Sequence, residues 1–83
     1  MAAIRPEAET FGRELRKVRL KRGLSQQALA ERCGSNIPYI SELERGLKAP
    51  TLTMILRLAS ALDCKVRDLM RVFDTAPPDS FLQ

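Results

Sequence analysis

Apolar residues recur along this chain at helical spacing, in short runs separated by glycine, proline and small polar residues. Phe11, Leu15 and Val18 stand at i, i+4 and i+7, one face of an α-helix. With Thr10 as N-cap and Gly23 as terminator, a helix is predicted over about Phe11 to Arg22. Residues 1–9 read as a flexible lead-in, because Pro6 opposes an earlier helix start. Leu24 follows as an apolar plug.

Two short helical patterns come next, joined by a tight turn. The first opens at Ser25, whose hydroxyl can accept a first-turn backbone N–H, and turns Leu29, Ala30 and Cys33 to one side. Gly34 tolerates the positive φ at which such a helix stops. Asn36 caps the second, which carries Ile40 and Leu43 inward. Gly46 ends it and Pro50 forbids a simple continuation. Thr51 then caps a helix to about Leu62, whose wide stripe of Leu52, Ile55, Leu56, Leu58, Ala59 and Leu62 predicts a nearly central position. Asp63-Cys64-Lys65 is a turn, and Val66 to Phe73 forms a last short helix with Val66, Leu69, Met70 and Phe73 apolar. Residues 74–83, with adjacent prolines, read as an extended or disordered tail. No repeat and no strand signal is present. The pattern predicts an all-α protein, a compact five-helix bundle.

The 83 residues fit one domain, which at this size buries roughly 60–65% of its unfolded surface. Fourteen Lys and Arg against ten Asp and Glu leave a net charge of +4, which suits a polyanionic partner. No segment approaches the ~20 apolar residues of a membrane span, and the N-terminus lacks the apolar core of a secretory signal. A cytoplasmic location follows, on the nucleoid if the partner is DNA. Cys33 and Cys64 fall in apolar slots and there is no histidine, so they read as buried small hydrophobes, with no metal site and no disulfide. A nucleophile–base pair and a phosphate-cradling glycine loop are also missing, so the chain does not read as an enzyme, and no cofactor or small-molecule substrate is expected.

The stretch Ser25 to Arg45 resembles the helix-turn-helix of the lambdoid phage repressor and Cro (Xre-type) family. The match lies in Ala30, Gly34, the aliphatic Leu29, Ile40 and Leu43, and the run Tyr39-Ile40-Ser41 followed by Leu43-Glu44-Arg45-Gly46. The resemblance covers roughly residues 11–73, implies a lambda-repressor-like fold, and makes residues 10–73 a helix-turn-helix DNA-binding domain. It also implies a sequence-specific transcriptional regulator that binds a palindromic operator in double-stranded DNA as a homodimer. Recognition helices would then lie about 34 Å apart. Short chains of this type resemble restriction–modification controllers, compact phage regulators and some antitoxins.

In that family the second helix of the motif enters the major groove, so Asn36, Ile37, Pro38, Ser41 and Glu42 are the base-facing candidates. Ile37 and Pro38 depart from the family's hydrogen-bonding residues. They can touch a thymine methyl, or they can merely shape the helix start. Glu42 can accept from a cytosine amino group, yet it sets a negative charge near phosphates. Ser35 departs as well, standing where an aliphatic residue is usual. The resemblance assigns phosphate contacts to Ser25 and Gln26 at a helix N-terminus. Tyr39, Arg45, Lys48 and Thr51 are further candidates, with a half-buried ring as the other reading of Tyr39. It pairs Arg19 with Glu44 as a structural ion pair. Arg13, Arg16, Lys17, Lys21 and Arg22 read as a solvated face, with Arg16 or Arg22 able to reach phosphate. Val66, Leu69, Met70 and Phe73, joined by Phe81 and Leu82, form the candidate dimer surface, with use in the protomer core as the competing reading. An antitoxin or other protein-interaction module on the same fold is the alternative function.

Overall fold

The computed structural model describes residues 5–74. Five α-helices follow one another: α1 (Pro6–Lys21), α2 (Gln26–Cys33), α3 (Ile37–Glu44), α4 (Leu52–Ala61) and α5 (Val66–Met70). A 3-10 turn, Arg71–Asp74, extends α5, and no strand occurs among the described residues. The tail from residue 75 onward, with Phe81 and Leu82, lies outside them.

The caps of the three middle helices form as their side chains dictate. The Ser25 hydroxyl accepts from the Ala28 N–H at 3.0 Å, Asn36 Oδ1 from Tyr39 at 2.9 Å, and Thr51 Oγ1 from Met54 at 3.1 Å. Gly34 closes α2 with φ 73°, and the Ser35 N–H reaches back to the Ala30 carbonyl at 2.8 Å. These bonds hold α2 and α3 to eight residues each, with a bend between them.

α1 starts earlier than the pattern implied. Pro6 sits at its first position, where the missing N–H and preset φ suit a helix. Glu7 and Glu9 in the first turn complement the positive helix end. The lead-in therefore stops short of Pro6: Ala8 is buried, and Thr10 lies inside the helix rather than capping it.

One core joins the helices. Leu15, Leu29, Ile40, Leu43, Leu58, Leu62 and Leu69 are fully enclosed, with Phe11, Ala30 and Cys33 beside them. α3 packs on both α1 and α2, while α4 packs on α2 and α5. α1 and α3 approach very closely at Gly12. A Cβ there would collide with the Leu43 carbonyl oxygen and stand 2.7 Å from that of Glu44.

Two expectations need correction. α4 is not central along its whole length: Leu58, Ala59, Ala61 and Leu62 are buried, but Leu52 is 71% and Leu56 52% exposed. The last helix also breaks at Met70, and only its 3-10 continuation reaches Phe73.

Candidate nucleic-acid interface

The candidate residues fall on three places: the N-terminus of α2, the outer side of α3, and the turn from Arg45 to Thr51 that leads into α4. Ile40, Leu43 and Glu44 take the inner side of α3, and the half-buried Tyr39 packs against the core beside them. Asn36, Ile37 and Pro38 are exposed, and Ser41 and Glu42 are half-buried. The Asn36 side-chain oxygen is committed to its cap, which leaves its amide nitrogen as the group available to a ligand. Pro38 stands in the first turn of α3, where its missing N–H leaves no partner unmet.

Three polar groupings link these positions. Arg45 folds back along α3 and donates Nε to Ser41 Oγ at 3.2 Å. Lys48 Nζ lies 3.5 Å from Glu42 Oε2 and 6.0 Å from the Tyr39 ring centroid. The negative charge of Glu42 thus has a cation beside it, supplied by the turn after α3. Burial pushes the half-buried Tyr39 phenol up, so it stays a neutral donor at physiological pH. Thr51 and Ser25 both spend an oxygen lone pair on capping while their side chains remain exposed.

The third grouping is buried. Arg19 Nε donates to Glu44 Oε2 at 2.6 Å and its Nη2 to Oε1 at 3.0 Å, a bidentate pair whose side chains are 8% and 3% exposed. Arg19 Nη1 also donates to the Leu24 carbonyl at 2.8 Å. Gln26 Nε2 joins from α2, donating to Glu44 Oε1 at 3.1 Å. One carboxylate therefore ties the end of α3 to α1 and to the start of α2. Neither the Gln26–Glu44 contact nor the role of Gly12 follows from the chain's local pattern. Only the residue types, an amide donor and a small residue on a buried helix face, hinted at them.

The apolar residues of α5 divide. Leu69 is fully buried within the protomer, so it is removed from the candidate dimer surface. Met70 and Phe73 pack partly against the core, and Val66 is 36% exposed. Cys33 is buried and Cys64 half-buried, both as free thiols. Among the described residues no group of His, Cys, Asp or Glu is arranged to hold a metal ion. A groove of about 750 Å³ lies between α1 and the segment from Cys64 to Val72, away from the candidate residues. Its Arg71 is engaged by Asp68 at 3.1 Å, and its Arg22 by the Asp63 carbonyl at 3.0 Å.

Known proteins share this arrangement. Residues 15–69 match the family profile described as helix-turn-helix. The chain is 38% identical over 61 residues to the control protein C.BamHI of Bacillus amyloliquefaciens, covering 72% of this chain and 75% of that protein. It is 32% identical over 73 residues to the HTH-type transcriptional regulator YazB of Bacillus subtilis, covering 88% and 97%. It is also 36% identical over 58 residues to the propionyl-CoA carboxylase regulator of Cereibacter sphaeroides, but spans only 13% of that protein's length. Among solved structures, the restriction-modification controller protein C.AhdI from Aeromonas hydrophila superposes with a TM-score of 0.74 at 41% identity, over 76% of this chain and 96% of that one. The clp gene regulator ClgR from Corynebacterium glutamicum gives 0.76 at 29% identity, over 92% and 97%. The chain belongs to the Xre-type helix-turn-helix family of DNA-binding transcriptional regulators, alongside the restriction–modification controller proteins.

Proposed function

We propose that this protein binds a palindromic operator in double-stranded DNA as a homodimer and regulates transcription from it. The observation that carries the reading is the open leading end of α3: Asn36 and Pro38 are exposed, Ile37 is 43% exposed, and no other described segment covers them. Two buried residues, Ile40 and Leu43, fix which side of that helix faces out. In this reading Ile37 and Pro38 make apolar contact with base edges, Ser41 and Glu42 add polar readout, and Asn36 offers its amide. Ser25, Gln26, Tyr39, Arg45, Lys48 and Thr51 hold the phosphates on either side. Lys48 leaves Glu42 for a phosphate when the duplex arrives, which frees the carboxylate to accept from a cytosine. A symmetric pair doubles the contacts that a single small module makes, and Val66, Met70 and Phe73 supply its seam. The protein acts in the cytoplasm on nucleoid DNA.

Selection of bound sequences from random duplex DNA tests all of this at once. A two-fold symmetric motif with half-sites about one helical turn apart is the expected result. Ile37→Ala should change preference at one or two base pairs, and an unchanged motif removes Ile37 from the readout. The exposed apolar Ile37-Pro38 pair also favours a second reading, an antitoxin-like module that docks a protein. Ionic strength separates the two, since DNA affinity falls steeply with salt as counterions are released and a protein interface of this kind responds weakly.

A further inference from the structure

Glu44 does more than neutralise Arg19. We propose that it is a positioning residue for DNA: it fixes the Gln26 amide so that one N–H is held ready for a phosphate at the α2 N-terminus. This rests on the reading of Gln26 as a phosphate contact.

An ionised carboxylate only accepts hydrogen bonds, so the end of the Gln26 amide that faces Glu44 must be the nitrogen. One of its N–H bonds goes to Glu44 Oε1 and the other remains. Gln26 is the first residue of α2, directly after its N-cap, where backbone N–H groups and the helix end favour an anion. An untethered glutamine would have to order several torsions on binding, and Glu44 has restricted them beforehand.

The tether is itself rigid. Both Glu44 oxygens accept from Arg19, and Arg19 is pinned to the Leu24 carbonyl, two residues before Gln26. The Glu44 side chain is 3% exposed, so water competes little for these bonds. Arg19 also cancels the carboxylate's charge, so the amide is oriented without a net negative charge close to the incoming phosphate. The network thus links the placement of α3 to a backbone contact made from α2.

The test is a double-mutant cycle on the full-length protein, with affinity for a short random-sequence duplex read by fluorescence anisotropy at fixed salt. Glu44→Gln should weaken binding about fivefold when Gln26 is present and less than about 1.5-fold in a Gln26→Ala background. Equal losses in both backgrounds overturn the proposal, because Glu44 then acts through the fold and not through the amide. A Gln26→Ala protein that binds as well as wild type overturns the phosphate reading and the proposal together. Should Glu44→Gln fail to fold, NMR of the wild-type Gln26 side-chain amide decides. Backbone-like rigidity with well-separated proton shifts supports the tether, and the mobility of a free surface glutamine overturns it.

Discussion

α3 and α4 carry similar apolar spacing and meet different fates. On α3, Ile40 and Leu43 are fully enclosed and even Glu44 is buried, because α1 and α2 close over its inner side from two directions. On α4 full burial is confined to the C-terminal half, with Met54 and Ile55 only half-buried against the core. Leu58, Ala59, Ala61 and Leu62 sit in the core, and Leu52 and Leu56 stand in solvent, because the neighbours of α4 are the short α2 and the five-residue α5. Apolar periodicity thus sets which side of a helix is sticky, but the neighbours set how much of that side is covered. The helix proposed to meet DNA is one enclosed from behind by two others.

Three perturbations test how α3 and its surroundings are held, in decreasing order of expected effect. The largest concerns the buried ion pair behind α3. Arg19→Met strands the Glu44 carboxylate and should cost about 3–5 kcal/mol in urea unfolding. A loss below about 1 kcal/mol would mean that the carboxylate finds water and that α3 is not locked as described. Next comes a matched pair of leucines. Leu43→Ala should cost about 2–5 kcal/mol, whereas Leu52→Ala should stay within about 0.5 kcal/mol, each read as a shift of the urea midpoint at constant slope. Similar costs at the two sites would erase the difference between the helices.

The smallest effect is a pH dependence at the junction of α2 and α4. Burial pushes the Cys33 thiol up, so the folded state holds its proton more tightly than the unfolded chain does. The stability this contributes is fully present below the ordinary thiol pKa and is lost as pH rises through the folded value. The urea midpoint should therefore fall on the alkaline side, and Cys33→Ala should make that fall shallower. An identical alkaline slope in the two proteins would show that the thiol is not sealed into the core. Burial raises Cys64 as well, but its half-buried sulfur should react faster with a thiol reagent than Cys33 does.

Much of the motif was legible in the chain. Ser25, Asn36 and Thr51 cap their helices because a short hydroxyl or amide oxygen reaches an N–H three residues on, an interaction within one turn. Gly34 takes a left-handed turn for an equally local reason. The start of α1 is not legible locally, because Pro6 both blocks a helix interior and opens a helix, and the buried Ala8 is what favours the second use. The burial of Leu69 is not legible either, because an apolar residue on a terminal helix looks the same in sequence whether a neighbouring helix or another protomer covers it.

Where the turns and caps fall, which side of each helix is apolar, and the family that the motif resembles can all be read along the chain. All of these depend on residues within a few positions of one another. Packing between distant segments settles instead that Gly12 must be small, that Leu52 and Leu56 stay outside, and that one carboxylate serves both Arg19 and Gln26. Those outcomes depend on which segments meet across 18 or more residues of chain, and no local spacing encodes such a meeting.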